Sequence, residues 1–227
     1  MGACAVIPSY NVSSSIGNIV SEIRSQGIEV IVIDDGSSDL TSDEARRSGA
    51  FVLRNKANLG KGASLRRGFA RALSEGYDTI ITLDGDGQHL PADITAFLRA
   101  QGAYPQAGMI IGNRMNFPSG MPFARRVTNR IMSGLISFIC NQDIPDTQNG
   151  FRLIKGGLLK KLDLRSDRFE VESEMIIKCG REGGRIISIP VSSVYENSGS
   201  QINPISDTLR FIKFILPYLL IRLRVRK

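Results

Sequence analysis

The decapeptide TLDGDGQHLP, Thr82 to Pro91, sets two carboxylates, two glycines, an amide and the only histidine of the sequence directly after a run of apolar β-formers. Asp84, Asp86 and Gln88 stand at i, i+2 and i+4. Together they offer the oxygen ligands that Mg2+ or Mn2+ takes when it shares its shell with the phosphates of a substrate. A calcium EF-hand does not fit. In DGDGQHLPADIT the fifth residue is Gln88, the sixth is His89 where glycine is needed, and the twelfth is Thr95 where a bidentate glutamate is required. An acidic turn stays open, since Asp and Gly suit turns, although a turn needs neither the second acid nor the amide. His89 has two readings: a group facing that cation, or the entry to a helix opening at Pro91.

The other glycine-rich stretches exclude two nucleotide motifs. NLGKGASLRRG is not a Walker loop, because Gly62 follows Lys61 where Ser or Thr is required and Asn55 stands where the first glycine should be. VIPSYN, after the first apolar run, has no glycine to admit a pyrophosphate, which sets aside a nicotinamide enzyme.

Hydrophobic periodicity names the elements that must carry these residues. CAVIP, EVIVID, FVLRN, DTIITLD and GMIIGN read as strands, and 13–26, 39–48, 61–75, 91–103 and 123–140 as helices. Such alternation predicts βαβ units, a mostly parallel sheet, and ligands at the carboxyl ends of the strands. The polar residues gather at those ends: Pro8 to Asn11, Asp34 to Asp39, Asn58 to Gly62, and Asp84 to Asp86. Beyond about 142 the pattern loosens into a strand near 150–155, a helix near 171–182, the strand RIISIPVSSVY, and a tail. With 227 residues, 42% of them apolar, and neither repeat nor linker, the chain predicts one domain with an appendage.

Three cysteines, Cys4, Cys140 and Cys179, lack metal-ligand spacing and predict a reducing, cytosolic compartment. The chain enters the apolar run Ala3–Ile7 without a cationic segment or cleavage site, so no secretory signal is expected. Val6 replaces the Ser or Thr of a myristoylation motif. The net charge is +7, with 29 Lys and Arg against 22 Asp and Glu. Six of those bases (Arg210, Lys213, Arg222, Arg224, Arg226, Lys227) lie in the acid-free tail 209–227, leaving 23 against 22 elsewhere. The basicity is local, which argues against nucleic acid as a partner. The longest uncharged run of the tail, Phe214–Ile221, is too short to span a bilayer and contains Pro217. A helix lying in the membrane interface fits it, as does one packed on the domain or on another copy.

VIPSYN, VIDDGSSD, NLGKGASLRRGFARAL, TLDGDGQHLPADI, GNR and DTQNGFRLI occur in the order and spacing of family-2 glycosyltransferases of GT-A fold. Over roughly residues 3–210 the chain resembles the branch of dolichyl-phosphate mannose synthase and bacterial polyprenyl-phosphate sugar transferases. The resemblance implies an α/β GT-A domain over 1–208, with a donor half about 1–115 and an acceptor half about 116–208, followed by the basic amphipathic helix 209–227. It implies that Pro8, Tyr10, Ile33 and Asp35 line a nucleoside pocket, with Asp35 on base or ribose. Asp84 and Gly85 would lie along ribose and diphosphate, and Asp86 and Gln88 would bind the metal. Arg114 would approach the diphosphate or donor sugar, and Asp146 matches an acid near the reaction centre, making Asp86, Arg114 and Asp146 the catalytic candidates. Arg126 and Arg130 would hold the acceptor phosphate, with Arg125 as the alternative to Arg126; without the resemblance they read as a solvated helix face. Val12, Glu196 and Gln201 depart from that branch, which usually has an acid, Arg and Lys there.

The implied reaction is a metal-dependent, inverting transfer from a nucleotide-sugar, by an enzyme peripheral to the cytoplasmic membrane face. A membrane-spanning partner subunit or a homo-oligomer is compatible with this. A divalent cation and arginines would stabilise charge growing on the leaving diphosphate. A polyprenyl phosphate, with a second pKa near ~6, is mostly dianionic at neutral pH and needs no strong base. A saccharide or other hydroxyl acceptor would need one, with Asp146, Glu170, Glu172 and Glu174 as candidates. A catalytically silent nucleotide-binding relative is the third reading; the presence of Asp84, Asp86, Gln88 and Arg114 together speaks against it.

Overall fold

Runs of β-branched residues, buried on both faces, make the centre of the molecule. The computed structural model describes residues 2–116, 120–194 and 204–225, apart from the side chains of 204–209 and 224–225; Glu196, Gln201 and the last two bases fall outside these residues. The strands are β1 (Ala3–Ser9), β2 (Glu29–Asp34), β3 (Phe51–Arg54), β4 (Thr79–Thr82), β5 (Ala107–Asn113), β6 (Arg152–Lys155) and β7 (Arg185–Pro190). Among the described residues they form one sheet of order β3-β2-β1-β4-β6-β5-β7. β6 alone runs antiparallel, between β4 and β5. The expected mostly parallel sheet is therefore found, and six strands direct their carboxyl ends to one edge. The expected strand RIISIPVSSVY ends at Pro190 and is followed by an isolated bridge between Ser193 and His89.

Alternation along each strand divides the core. Val6, Ile31, Ile33, Ile80, Met109 and Ile154 face one way, towards α3 (Lys61–Ser74), α5 (Phe123–Cys140), α7 (Glu170–Arg181) and α8 (Pro204–Val225). Ala5, Ile7, Val30, Val32, Ile81 and Leu153 face the other, towards α1 (Ser13–Ser25), α2 (Thr41–Arg47) and α4 (Ile94–Ala103), whose entry is a 3-10 turn at Pro91–Asp93. The short α6 (Gly156–Leu159) was not apparent from the periodicity. On α1, Ile16, Ile19, Val20 and Ile23 repeat at helical spacing and are all buried. Each such side chain contributes roughly 1.5–3 kcal/mol of hydrophobic burial.

Ile33, expected at the nucleoside pocket, is fully buried, and its Cδ1 would lie 2.6 Å from a Cβ on Gly68 of α3, so it packs beneath that helix. The helix of the tail, expected over 209–227, spans Pro204–Val225, and its Phe211 and Ile215 belong to the core. Its opposite stripe, Ile212, Leu216, Leu220 and Leu223, is about half exposed.

Candidate active site

The edge where the parallel strands end also receives the chain entering antiparallel β6. Residues following β1, β2, β4 and β5 and those preceding β6 thus come from distant parts of the sequence to one rim. Pro8 pairs in register with Ile33, Tyr10 follows β1, and Asp35 follows β2, so the β1 and β2 contributions to the expected nucleoside pocket are neighbours.

The acids at the end of β2 and just after it hold the rim together. Asp34 accepts from Ser37 N–H at 2.8 Å and from the Ser42 hydroxyl. Asp39 accepts from Ser13 N–H and from Thr41, and although burial would raise its pKa, the Thr41 hydroxyl leads the bonds that bring it down to about 2. Asp35 is buried and takes Asn55 Nδ2 at 2.6 Å, Leu59 N–H at 2.9 Å and Gly60 N–H at 2.8 Å. Three of a carboxylate's roughly four acceptor positions are therefore in use, which leaves one for a nucleoside.

The loop NLGKG, which fails as a Walker motif, has another use. Asp167 O accepts from Gly62 N–H (2.7 Å) and Ala63 N–H (3.1 Å), so a protein carbonyl caps the N-terminus of α3 where a P-loop would hold phosphate. A Cβ on Gly62 would fall on Ser166 O and one on Gly60 on Asp167 O; Gly60 also has φ +99°. The glycines admit the loop before α7, and with it comes Glu172. Lys61 Nζ lies 2.5 Å from Asp84 Oδ1 and 2.6 Å from Glu172 Oε1. Burial alone would lower the ammonium's pKa and raise that of Asp84. The two carboxylates reverse the first, and Lys61, followed by His89, draws Asp84 well below the usual carboxylate range. Glu172 Oε2 stands 4.0 Å from Nη2 of fully buried Arg152, which also donates to Glu172 O, Asn149 O and Thr147 O. His89 is buried against Phe151 with Nε2 3.6 Å from Asp84 Oδ2, so it faces the acid rather than only opening a helix.

Asp86 is exposed at the tip of this loop. Its Oδ1 accepts Gln88 N–H at 3.0 Å, and Ser15 Oγ fixes the loop by donating to Gly85 O at 2.6 Å. Among the described residues Asp86 has no cation beside it, and no three His, Cys, Asp or Glu side chains gather as a metal site. An unpaired carboxylate with a half-buried amide two residues on fits a hard divalent cation that takes its remaining ligands from a bound anion.

Arg114, next after β5, is nearly buried and meets Asp146 in a bidentate pair, Nε to Oδ2 at 2.8 Å and Nη2 to Oδ1 at 2.9 Å, with Arg114 N–H on Oδ2 at 3.0 Å. Asn129 Nδ2 of α5 adds a fourth bond at 2.8 Å. Burial would raise the Asp146 carboxyl, and Arg114 holds it below the usual range. Asp146 is thereby the counter-ion of Arg114, with its acceptor positions filled. Asn129 and Ser133 anchor α5, which puts Arg126 on the same helical face at i and i+3, half buried, while Arg130 is exposed one residue beyond. Of the other acids weighed as bases, Glu174 accepts from Arg165 N–H, Ser166 N–H and Lys178, and Glu172 is held by Lys61.

The profile of the family described as glycosyl transferase family 2 matches residues 4–163. The UDP-N-acetylglucosamine–dolichyl-phosphate N-acetylglucosaminyltransferase of Methanococcus voltae is 26% identical, over 98% of this chain and 96% of its own. The undecaprenyl-phosphate mannosyltransferase of Micrococcus luteus is 28% identical, over 88% and 86%. The crystal structure of glucosyl-3-phosphoglycerate synthase from Mycobacterium tuberculosis, in complex with Mn2+, UDP and phosphoglyceric acid, superposes with a TM-score of 0.74 at 18% identity, over 97% of this chain and 78% of that one. That likeness shows the GT-A-like fold.

Proposed function

The chain belongs to glycosyl transferase family 2, and on that premise we propose that it transfers a sugar from a nucleotide-sugar to a polyprenyl phosphate, at the cytoplasmic membrane face. One observation carries this choice of acceptor. Asp146, Glu172 and Glu174, three of the four carboxylates weighed as bases, are buried and each paired with a cation, which disfavours them as a general base for a hydroxyl; the fourth, Glu170, opens α7 half buried. A phosphate monoester arrives already ionised. Relatives named for dolichyl-phosphate and undecaprenyl-phosphate transfer support the same acceptor class.

In this reading Pro8, Tyr10 and the remaining acceptor position of Asp35 meet the nucleoside, while Asp84 and Gly85 run along ribose and diphosphate. Mg2+ or Mn2+ bound at Asp86 and Gln88 would supply Lewis acidity towards the leaving group. Arg114, held rigid by Asp146, meets the charge developing there without reorganising. Arg126 and Arg130 place the acceptor phosphate. One of its oxygens bonds to the anomeric carbon as the bond to the nucleoside diphosphate breaks, and the departing oxygen keeps the electron pair, inverting the centre. The test is incubation with labelled nucleotide-sugars, membranes and Mn2+, followed by organic extraction. Label in an acid-labile lipid is expected; label confined to glycans, or no transfer, would overturn the proposal.

No helix among the described residues is long and apolar enough to cross a membrane. The half-exposed stripe of α8 and, on α5, exposed Phe123, Val127 and Ile131 beside Arg130 would instead rest in the interface, with bases towards anionic headgroups. Changing Leu216 and Leu220 to Asp leaves buried Phe211 and Ile215 in place and is expected to abolish co-flotation with phosphatidylglycerol vesicles. Flotation equal to that of the unchanged protein would remove the membrane role of α8.

A further inference from the structure

Asp84 and Glu172 converge on a single point although they come from opposite halves of the chain. A Cβ on Gly150 would stand 2.7 Å from Asp84 Oδ2 and 3.0 Å from Glu172 Oε1. Two carboxylates this close repel each other, and would repel an incoming diphosphate, unless a cation lies between them. Lys61 is that cation, 2.5 Å from one and 2.6 Å from the other, with a side chain only 13% exposed. Its backbone is fixed by the bonds of Gly62 and Ala63 to Asp167 O, so the ammonium is held in place from both ends. Arg152 lies 4.0 Å from Glu172 Oε2, and His89 Nε2 lies 3.6 Å from Asp84 Oδ2.

We propose that Lys61 is a positioning residue of the donor site, bridging Asp84 and Glu172 so that Asp84 keeps its place beside the bound nucleotide. This deepens the nucleotide-sugar reading above and rests on it. Lys61 here acts through Asp84 and Glu172 and touches no substrate. Without the ammonium, Glu172 keeps only Arg152, 4.0 Å from its Oε2, and its Oε1 faces Asp84 with no cation between them. If Glu172 is neutralised as well, the repulsion is gone, and the amide of Glu172→Gln can donate to Asp84 in the ammonium's stead.

The experiment is calorimetric binding of UDP, GDP, CDP and dTDP, each with excess Mn2+, to the unchanged protein, Lys61→Met, Glu172→Gln and the double variant. Lys61→Met should weaken the preferred nucleotide roughly tenfold or more, as expected on breaking a buried ion cluster. The double variant should regain most of that loss. A double variant no better than Lys61→Met would mean that Lys61 contacts the nucleotide directly, and would overturn the inference, as would unchanged binding by Lys61→Met. Should Lys61→Met fail to fold, the double variant is compared with Glu172→Gln: a loss under about threefold is expected, and one of roughly tenfold overturns the bridge. If the unchanged protein binds none of the four, the nucleotide-sugar reading itself fails, a result distinct from any difference among variants.

Discussion

Asp86→Ala is expected to lower kcat by at least about 10²–10³-fold, the scale seen when one preorganised group facing developing charge is removed, and to abolish the dependence of nucleotide binding on Mn2+. The fold should hardly notice. Asp86 is exposed and, among the described residues, its one protein bond is the local acceptance of Gln88 N–H, so stability should stay within about ±0.5 kcal/mol. The combination is diagnostic, because an acidic residue that only shapes a turn would do the reverse, costing stability and leaving binding alone. Calorimetric titration with and without Mn2+, beside thermal unfolding of the same samples, separates the two. Normal turnover in the variant would remove the metal assignment. Gln88→Ala should follow in the same direction but more weakly, since the backbone carbonyl of Gln88, which accepts Val194 N–H, is untouched.

That Asp86 and Gln88 share one loop was legible because this needs only local spacing, and both are written within five residues. Strand and helix positions were legible for a similar reason: buried β-branched runs and helical stripes are local patterns. What the sequence hid are matters decided at long range. RLIK of β6 looks alike in either direction, and its antiparallel course follows from where the chain re-enters the sheet after α5. Ile33 closes an apolar strand and suits pocket or core equally; the missing Cβ of Gly68 admits it to the core. Asp35 reads as a ligand contact alone, and the three bonds it also accepts from Asn55, Leu59 and Gly60 come from residues at least 20 positions away. Lys61 was set aside with the failed Walker motif, and its partner Glu172 is 111 residues away. One signal went unused: Arg152 in the short apolar strand RLIK is a charge that a central strand tolerates only with buried partners.

Asp146→Ala should be the most destabilising change at the site, by about 3–5 kcal/mol, because it removes the bidentate carboxylate partner of the buried Arg114 guanidinium and an acceptor of the Asn129 amide. The sign with pH is fixed by the direction of the shift. Arg114 holds the folded-state carboxyl below its unfolded value, so the pair stabilises fully above about pH 4 and loses its effect as pH falls through the folded-state pKa. Denaturant midpoints at pH 7 therefore report the whole contribution, and an unchanged midpoint at constant slope would refute the counter-ion role. Function separates counter-ion from base. A base at Asp146 predicts that Asp146→Asn, so far as it folds, lowers kcat alone and removes the acid limb of the rate profile. A counter-ion predicts that Arg114 loses its fixed direction, so donor KM rises together with the fall in kcat, while the shape of the pH profile is kept. Because Asn129 joins Asp146 to α5, the same variant should also loosen the helix carrying Arg126 and Arg130. Acceptor KM should then rise with donor KM, a joint response that neither a free base nor a remote structural residue would produce.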